Sequence, residues 1–143
     1  MKKNRYLIVI AVALAALTLG ACTSSSADLQ GTEWQWVKLN DSNLPAQSSK
    51  PDAESYTITF TDGEIVSIKA DCNLVLGSYS ASRSRLTIEA GSTTLAYCGE
   101  ESQDVIFLDL IAQVVSYELV EETLRLGLEH EAGSLEFIKV GTN

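Results

Sequence analysis

The stretch SYTITFTDGEIVSIKADCN, residues 55–73, decides the fold class. Tyr56, Ile58 and Phe60 alternate with threonines, Asp62-Gly63 marks a turn, and Val66, Ile68, Ala70 and Cys72 alternate on the return. A period of two puts each set on one face of a strand, and two such runs around Asp-Gly make an antiparallel hairpin. A two-residue turn would set Phe60 opposite Ile65 and send the second apolar set to the wrong face. The pattern therefore predicts a one-residue bulge or a three-residue loop near Gly63, which restores Phe60 opposite Val66 and Ile58 opposite Ile68.

Strand rhythm continues on both sides of this hairpin. Upstream, GTEWQWVKL (31–39) alternates Trp34 and Trp36 with polar residues, and NDSNLPAQSSKPDAE (40–54) holds both prolines and reads as a long surface loop. Downstream, VLGSYSA, RLTIEA, SYELV, TLRLGLE and SLEFIKV read as strands, the last two joined by a turn through HEAG. One segment breaks the rhythm. SQDVIFLDLIAQVVS (102–116) is long enough for a helix, with Ser102 as its N-cap and Asp104 near the positive end of the dipole. Asp109, Gln113 and Ser116 form its one narrow polar stripe, which predicts burial over most of the circumference. A curved sheet wrapped around the helix would satisfy that demand, as would a groove that takes an apolar ligand or partner.

The first 22 residues address the chain. Lys2, Lys3 and Arg5 are followed by an apolar run of about 15 residues, shorter than the roughly 20 that a spanning helix needs. This is the pattern of a secretion signal. Leu19, Gly20 and Ala21 lead into Cys22, which resembles the bacterial lipobox. The resemblance implies cleavage before Cys22 and a thioether from its thiol to diacylglycerol, with acyl chains such as palmitate as the membrane anchor. Residues 1–21 are then the leader, residues 22–30 a small polar tether, and residues 31–143 the folded domain.

Removing the leader takes away three basic and no acidic residues, leaving seven Lys plus Arg against 19 Asp plus Glu, a formal balance of −12. No basic cluster stands out from that background, so nucleic acid is not an expected partner. The lipobox places Cys72 and Cys98 in an oxidising compartment, and a Cys72–Cys98 disulfide is the expectation. Two buried free thiols would be the alternative. A metal site from Cys72, Cys98 and His130 is a more distant one, because no CxxC or HxxxH spacing is present. No metal and no cofactor is expected.

The order of short motifs resembles the META domain family of HslJ-like bacterial envelope lipoproteins. The matching residues are GTEW (31–34), DCN (71–73), GSY (77–79), LTI (86–88), STTLAYC (92–98), a helix ending in VVSY, then LRLGL and GSLEF. The family commonly has Gly before the Cys-Asn pair, where this chain has Asp71. Residues and resemblance together imply a mainly β fold with one helix (α+β). Its architecture would be a strongly curved antiparallel sheet or partial barrel packed on a single, largely buried helix.

Catalytic patterns are sparse. His130 lies between Glu129 and Glu131 in a turn; Glu100-Glu101 and Glu121-Glu122 are adjacent in sequence and give no reason for their carboxylates to converge. No GxSxG elbow, phosphate-binding glycine loop or HExxH occurs. The expectation is a non-enzymatic, lipid-anchored envelope protein. It would sit on an outer membrane facing the periplasm or on the outer face of the cell membrane, and serve envelope maintenance or a stress response by contacting an envelope protein. One alternative is a carrier or pilot holding an acyl chain or amphipathic peptide, which requires a continuous apolar cavity of a few hundred Å³ between helix and sheet. Another is an inhibitor of a cationic envelope-degrading enzyme such as lysozyme.

Overall fold

The hairpin of residues 55–73 forms in the expected register: Phe60 pairs with Val66, Ile58 with Ile68 and Tyr56 with Ala70. Its loop is the three-residue kind, Asp62–Glu64, and Gly63 sits at φ 74°, where a Cβ would be strained. The computed structural model describes residues 26–41 and 55–140. Cys22 and most of the loop between the first two strands lie outside the described residues.

Eight strands follow one another around a barrel: β1 (Thr32–Asp41), β2 (Tyr56–Thr61), β3 (Ile65–Ala70), β4 (Asn73–Ser82), β5 (Arg85–Thr93), β6 (Val114–Val120), β7 (Thr123–Leu128) and β8 (Gly133–Lys139). Helix α1 (Ser26–Leu29) precedes β1, and α2 (Asp104–Ala112) lies between β5 and β6. The sheet is more closed than the partial barrel expected from the sequence. Strand β8 pairs with β1 from Trp34↔Lys139 to Asp41↔Gly133, so the two terminal strands satisfy each other's backbone edges.

An eight-stranded barrel has an interior just wide enough for side chains to fill it. Here Trp34, Trp36, Phe60, Phe107, Phe137, Leu124, Leu126 and Leu135 are almost fully enclosed. Phe107 enters from α2 and stacks on Trp36 at 5.0 Å between centroids, with Tyr56 edge-on at 5.3 Å. The other end is closed from the N-terminal side. Leu29 is fully buried, the Gly31 N–H donates to the Phe60 carbonyl at 2.8 Å, and the Thr32 hydroxyl donates to the Leu29 carbonyl. Leu29, read from sequence as part of the tether, is thus a core residue.

The helix differs from its expectation in extent and burial. It runs from Asp104 to Ala112 rather than from Ser102 to Ser116, and Val114–Ser116 already belong to β6. Only Phe107 and Ile111 are buried; Val105 is 65% exposed and Ile106 58%. A barrel filled by its own strands leaves a helix one stripe to cover, so the remaining apolar positions face outward. Gln103 holds the cap position, not Ser102, although the Ser102 hydroxyl accepts from the Asp104 N–H at 3.2 Å.

Candidate functional site

The end of the barrel where β3 turns into β4 is built around one buried polar side chain. Asn73 opens β4 and is the single buried polar residue among those described. Its Nδ2 donates to the Ala96 carbonyl at 3.0 Å and to Asp104 Oδ2 at 2.9 Å; its Oδ1 accepts from the Ala96 N–H at 2.8 Å and the Thr94 hydroxyl at 3.0 Å. One amide thereby ties the strand start, the segment after β5 and the first residue of α2. Beside it the Cys72–Cys98 disulfide joins the same segments, with the Cα atoms 5.6 Å apart. The turn before them, Asp71, adopts φ 57°, the left-handed conformation a glycine takes easily. Cys72 itself lies beyond β3 and is exposed, so it does not continue the inward face of Val66, Ile68 and Ala70.

The same clamp seats the helix start. The Gln103 N–H donates to the Tyr56 hydroxyl at 2.8 Å, and the Ser102 hydroxyl donates to Asp104 Oδ1 at 3.1 Å. Amides otherwise unpaired in the first turn are satisfied in this way. Held between two fixed ends, residues 94–103 carry Leu95 at 90% exposure and Tyr97 at 81%.

Next to this rim the barrel wall parts. Strand β5 pairs with β4 along its length, from Ser82↔Arg85 to Val75↔Thr93, but with β6 only through Arg85↔Ser116. The backbone of Thr87–Thr93 therefore has no strand on its second side among the described residues. Between that edge and α2 opens an apolar cleft of about 130 Å³, floored by Ile68 and Val75 and walled by Ile88, Ala90, Thr93, Leu108, Ile111 and Ala112. That volume falls short of the roughly 300 Å³ at which pockets for lipid-sized ligands begin.

The residues singled out from sequence do not converge on a catalytic centre. Cys72 and Cys98 are bonded to each other, so they and His130 form no metal triad. His130 is 86% exposed in the β7–β8 turn. Glu100 and Glu101 lie in the exposed rim, whereas Glu121 and Glu122 lie in the β6–β7 turn. Among titrating groups, burial pushes the Tyr79 hydroxyl above its ordinary pKa, helped by the carboxylates of Glu64 and Asp62. Burial raises Tyr117 likewise, with Asp28 adding to it. Sequence reasoning missed Asn73 as a hub and the β5 edge that is left without a strand partner among the described residues. The only signal for the first was an asparagine directly after Cys72, in a strand whose alternate positions are apolar.

A closed antiparallel barrel stoppered by one helix, with a disulfide beside a buried asparagine, defines a small non-repetitive β domain. The chain belongs to the META domain family, whose profile matches residues 27–140. In fold it is similar to a DUF4847 family protein from Bacteroides vulgatus ATCC 8482, with a TM-score of 0.63 and 12% identity over 82% of this chain and 99% of the other. A protein from Burkholderia xenovorans gives a TM-score of 0.64 at 18% identity, covering 82% of this chain and 87% of its own. No curated protein matches the sequence.

Proposed function

We propose that this META domain is a lipid-anchored binding module of the cell envelope. Held at a membrane through acylated Cys22, it serves envelope maintenance or a stress response by contacting another protein and not by catalysis. One observation carries the reading. The chain enters the barrel beside the Asp62–Glu64 loop, where Gln30 Nε2 donates to Asp62 Oδ1 at 2.8 Å. The clamped rim lies at the opposite end of the β2–β3 hairpin, next to Tyr56↔Ala70. Six-residue strands separate these ends by about 17–20 Å. An anchor on Cys22 would therefore turn the rim and the parted wall away from the lipid, toward whatever faces the membrane.

The cleft's small volume speaks against the acyl-carrier alternative. Two measurements test the proposal. Cys22→Ser should abolish incorporation of labelled palmitate and release the protein from the membrane fraction; retained label would overturn the anchor. Photo-crosslinking residues placed at Glu89 on β5 and at Ile138 on β8, in living cells, should give a discrete protein adduct from at least one wall. Adducts from neither would overturn action through protein contact.

A further inference from the structure

Among the described residues the β5–β6 seam is joined by a single residue pair, and the apolar cleft opens beside it. Past Arg85 the β5 edge presents a row of backbone donors and acceptors, and Glu89–Thr93 are all exposed. Backbone groups spaced as in a strand are matched by one kind of occupant, another extended chain. The cleft narrows the choice. About 130 Å³ lined by Ile88, Ala90, Leu108 and Ile111 holds one aliphatic or aromatic side chain, since an engineered cavity of about 150 Å³ takes benzene.

Charge narrows it again. From Leu86 to Leu124 the chain has no Lys, Arg or His, while Glu89, Glu100, Glu101, Asp104 and Asp109 lie on the two walls and the rim. Asp104 is engaged by Asn73, and Glu89 and Asp109 are exposed on β5 and α2. A second copy of this chain meeting edge to edge would bring these carboxylates together, like charge on like.

We propose that β5 is a strand acceptor: an extended apolar segment with basic flanks, belonging to a protein partner, pairs with Thr87–Thr93 and lowers one side chain into the cleft against α2. This rests on the protein-binding reading above and specifies its surface. The disulfide and Asn73 hold the rim in place, so the acceptor edge is formed before the partner arrives. Exposed Leu95 and Tyr97 lie immediately beyond the end of β5, where they extend the apolar contact past the paired strand.

The test uses the full protein purified from the envelope in detergent. The probe is a capped peptide of alternating valine and threonine with lysine at each end. Hydrogen exchange across Thr87–Thr93 should slow by about tenfold at saturating peptide, equal to about 1.4 kcal/mol of added protection. The same peptide N-methylated at alternate residues should give no protection, and one with aspartate at each end should bind about tenfold more weakly. Ala112→Phe fills the cleft from an exposed helix-end position. It should weaken the lysine peptide about tenfold while leaving the unfolding midpoint in place. Protection elsewhere on the barrel, equal binding of the N-methylated peptide, or dimerisation of the protein through the same amides would overturn the acceptor. Loss of the acceptor with a crosslink from Ile138 would leave the protein-binding reading standing; no crosslink from either wall would remove both.

Discussion

Removing the disulfide and the Asn73 amide separately and together would show how the rim is held. Cys72 and Cys98 are 26 residues apart. Loop-closure entropy for that span amounts to about 3.5 kcal/mol, withdrawn from the unfolded chain. Cys72→Ala/Cys98→Ala should therefore lower stability by about 3.5 kcal/mol in urea and raise the denaturant slope, because the unlinked chain exposes more surface. Asn73→Ala acts in the folded state. It strips partners from the Ala96 amide and carbonyl, the Thr94 hydroxyl and Asp104, and should cost about 2–3 kcal/mol. Asn73 follows Cys72 directly and its Nδ2 donates to Cys98 Sγ at 3.3 Å, so the two costs should couple by about 0.5–3 kcal/mol rather than add. A domain with about 5–15 kcal/mol of stability gives measurable baselines for both single variants. A disulfide loss below about 1 kcal/mol would refute the entropic account. A combined cost below the sum is expected if the disulfide positions the segment Asn73 binds, and strict additivity would refute that coupling.

Three further outcomes follow from packing and burial. A Cβ on Gly77 would lie 2.2 Å from the Glu89 carbonyl oxygen, which is backbone, whereas one on Gly127 would lie 2.4 Å from the Ser116 hydroxyl, which can rotate away. Gly77→Ala should thus cost about 3 kcal/mol and Gly127→Ala less than about 1 kcal/mol by urea unfolding. Phe107→Ala empties the aromatic contact with Trp36 and Tyr56; it should cost about 3–5 kcal/mol and remove near-ultraviolet ellipticity while far-ultraviolet signal persists. The fold raises the Tyr79 pKa, so the neutral phenol favours the folded state. That contribution is complete below the unfolded value near pH 10 and is lost as pH rises through the folded one. Tyr79→Phe should accordingly leave stability near neutrality little changed and make the alkaline decline shallower, with midpoints compared at neutral pH and at about pH 11.

The β2–β3 register was legible because alternation and turn chemistry are local: shifting Phe60 by one residue would have turned Val66, Ile68 and Ala70 to solvent. Closure was not legible, because Trp36↔Phe137 joins opposite ends of the domain and a terminal strand reads the same whether paired or free. The helix was over-read for a related reason. Its nine-residue span is almost wholly apolar, yet how much of that is buried depends on how far the barrel has filled itself. Leu29 was under-read, being a single apolar residue in a polar segment. The disulfide pairing followed from compartment and cysteine count. Asn73 is marked only by its place in an otherwise apolar alternation, and its role depends on Ala96, Thr94 and Asp104 arriving from elsewhere in the chain.

What the molecule leaves undone is therefore more informative than what it completes. Antiparallel β proteins conceal free edges because those edges aggregate. This chain pairs β1 with β8 from Trp34 to Asp41, stoppers one end with Leu29 and seats Phe107 in the other. It satisfies the first amides of α2 through Tyr56 and Ser102. The parting of β5 from β6 is not explained by a shortage of pairing capacity: β5 continues to Thr93 and pairs with β4 on both sides of a one-residue bulge at Gly91. The segment that follows the seam is fixed by a disulfide and a buried amide. A parted seam beside a segment fixed by a disulfide and a buried amide is the pattern expected where structure has been adjusted for binding. Glu89 then has two uses on that edge. On the proposed acceptor its charge would repel a second copy and attract a basic-flanked strand.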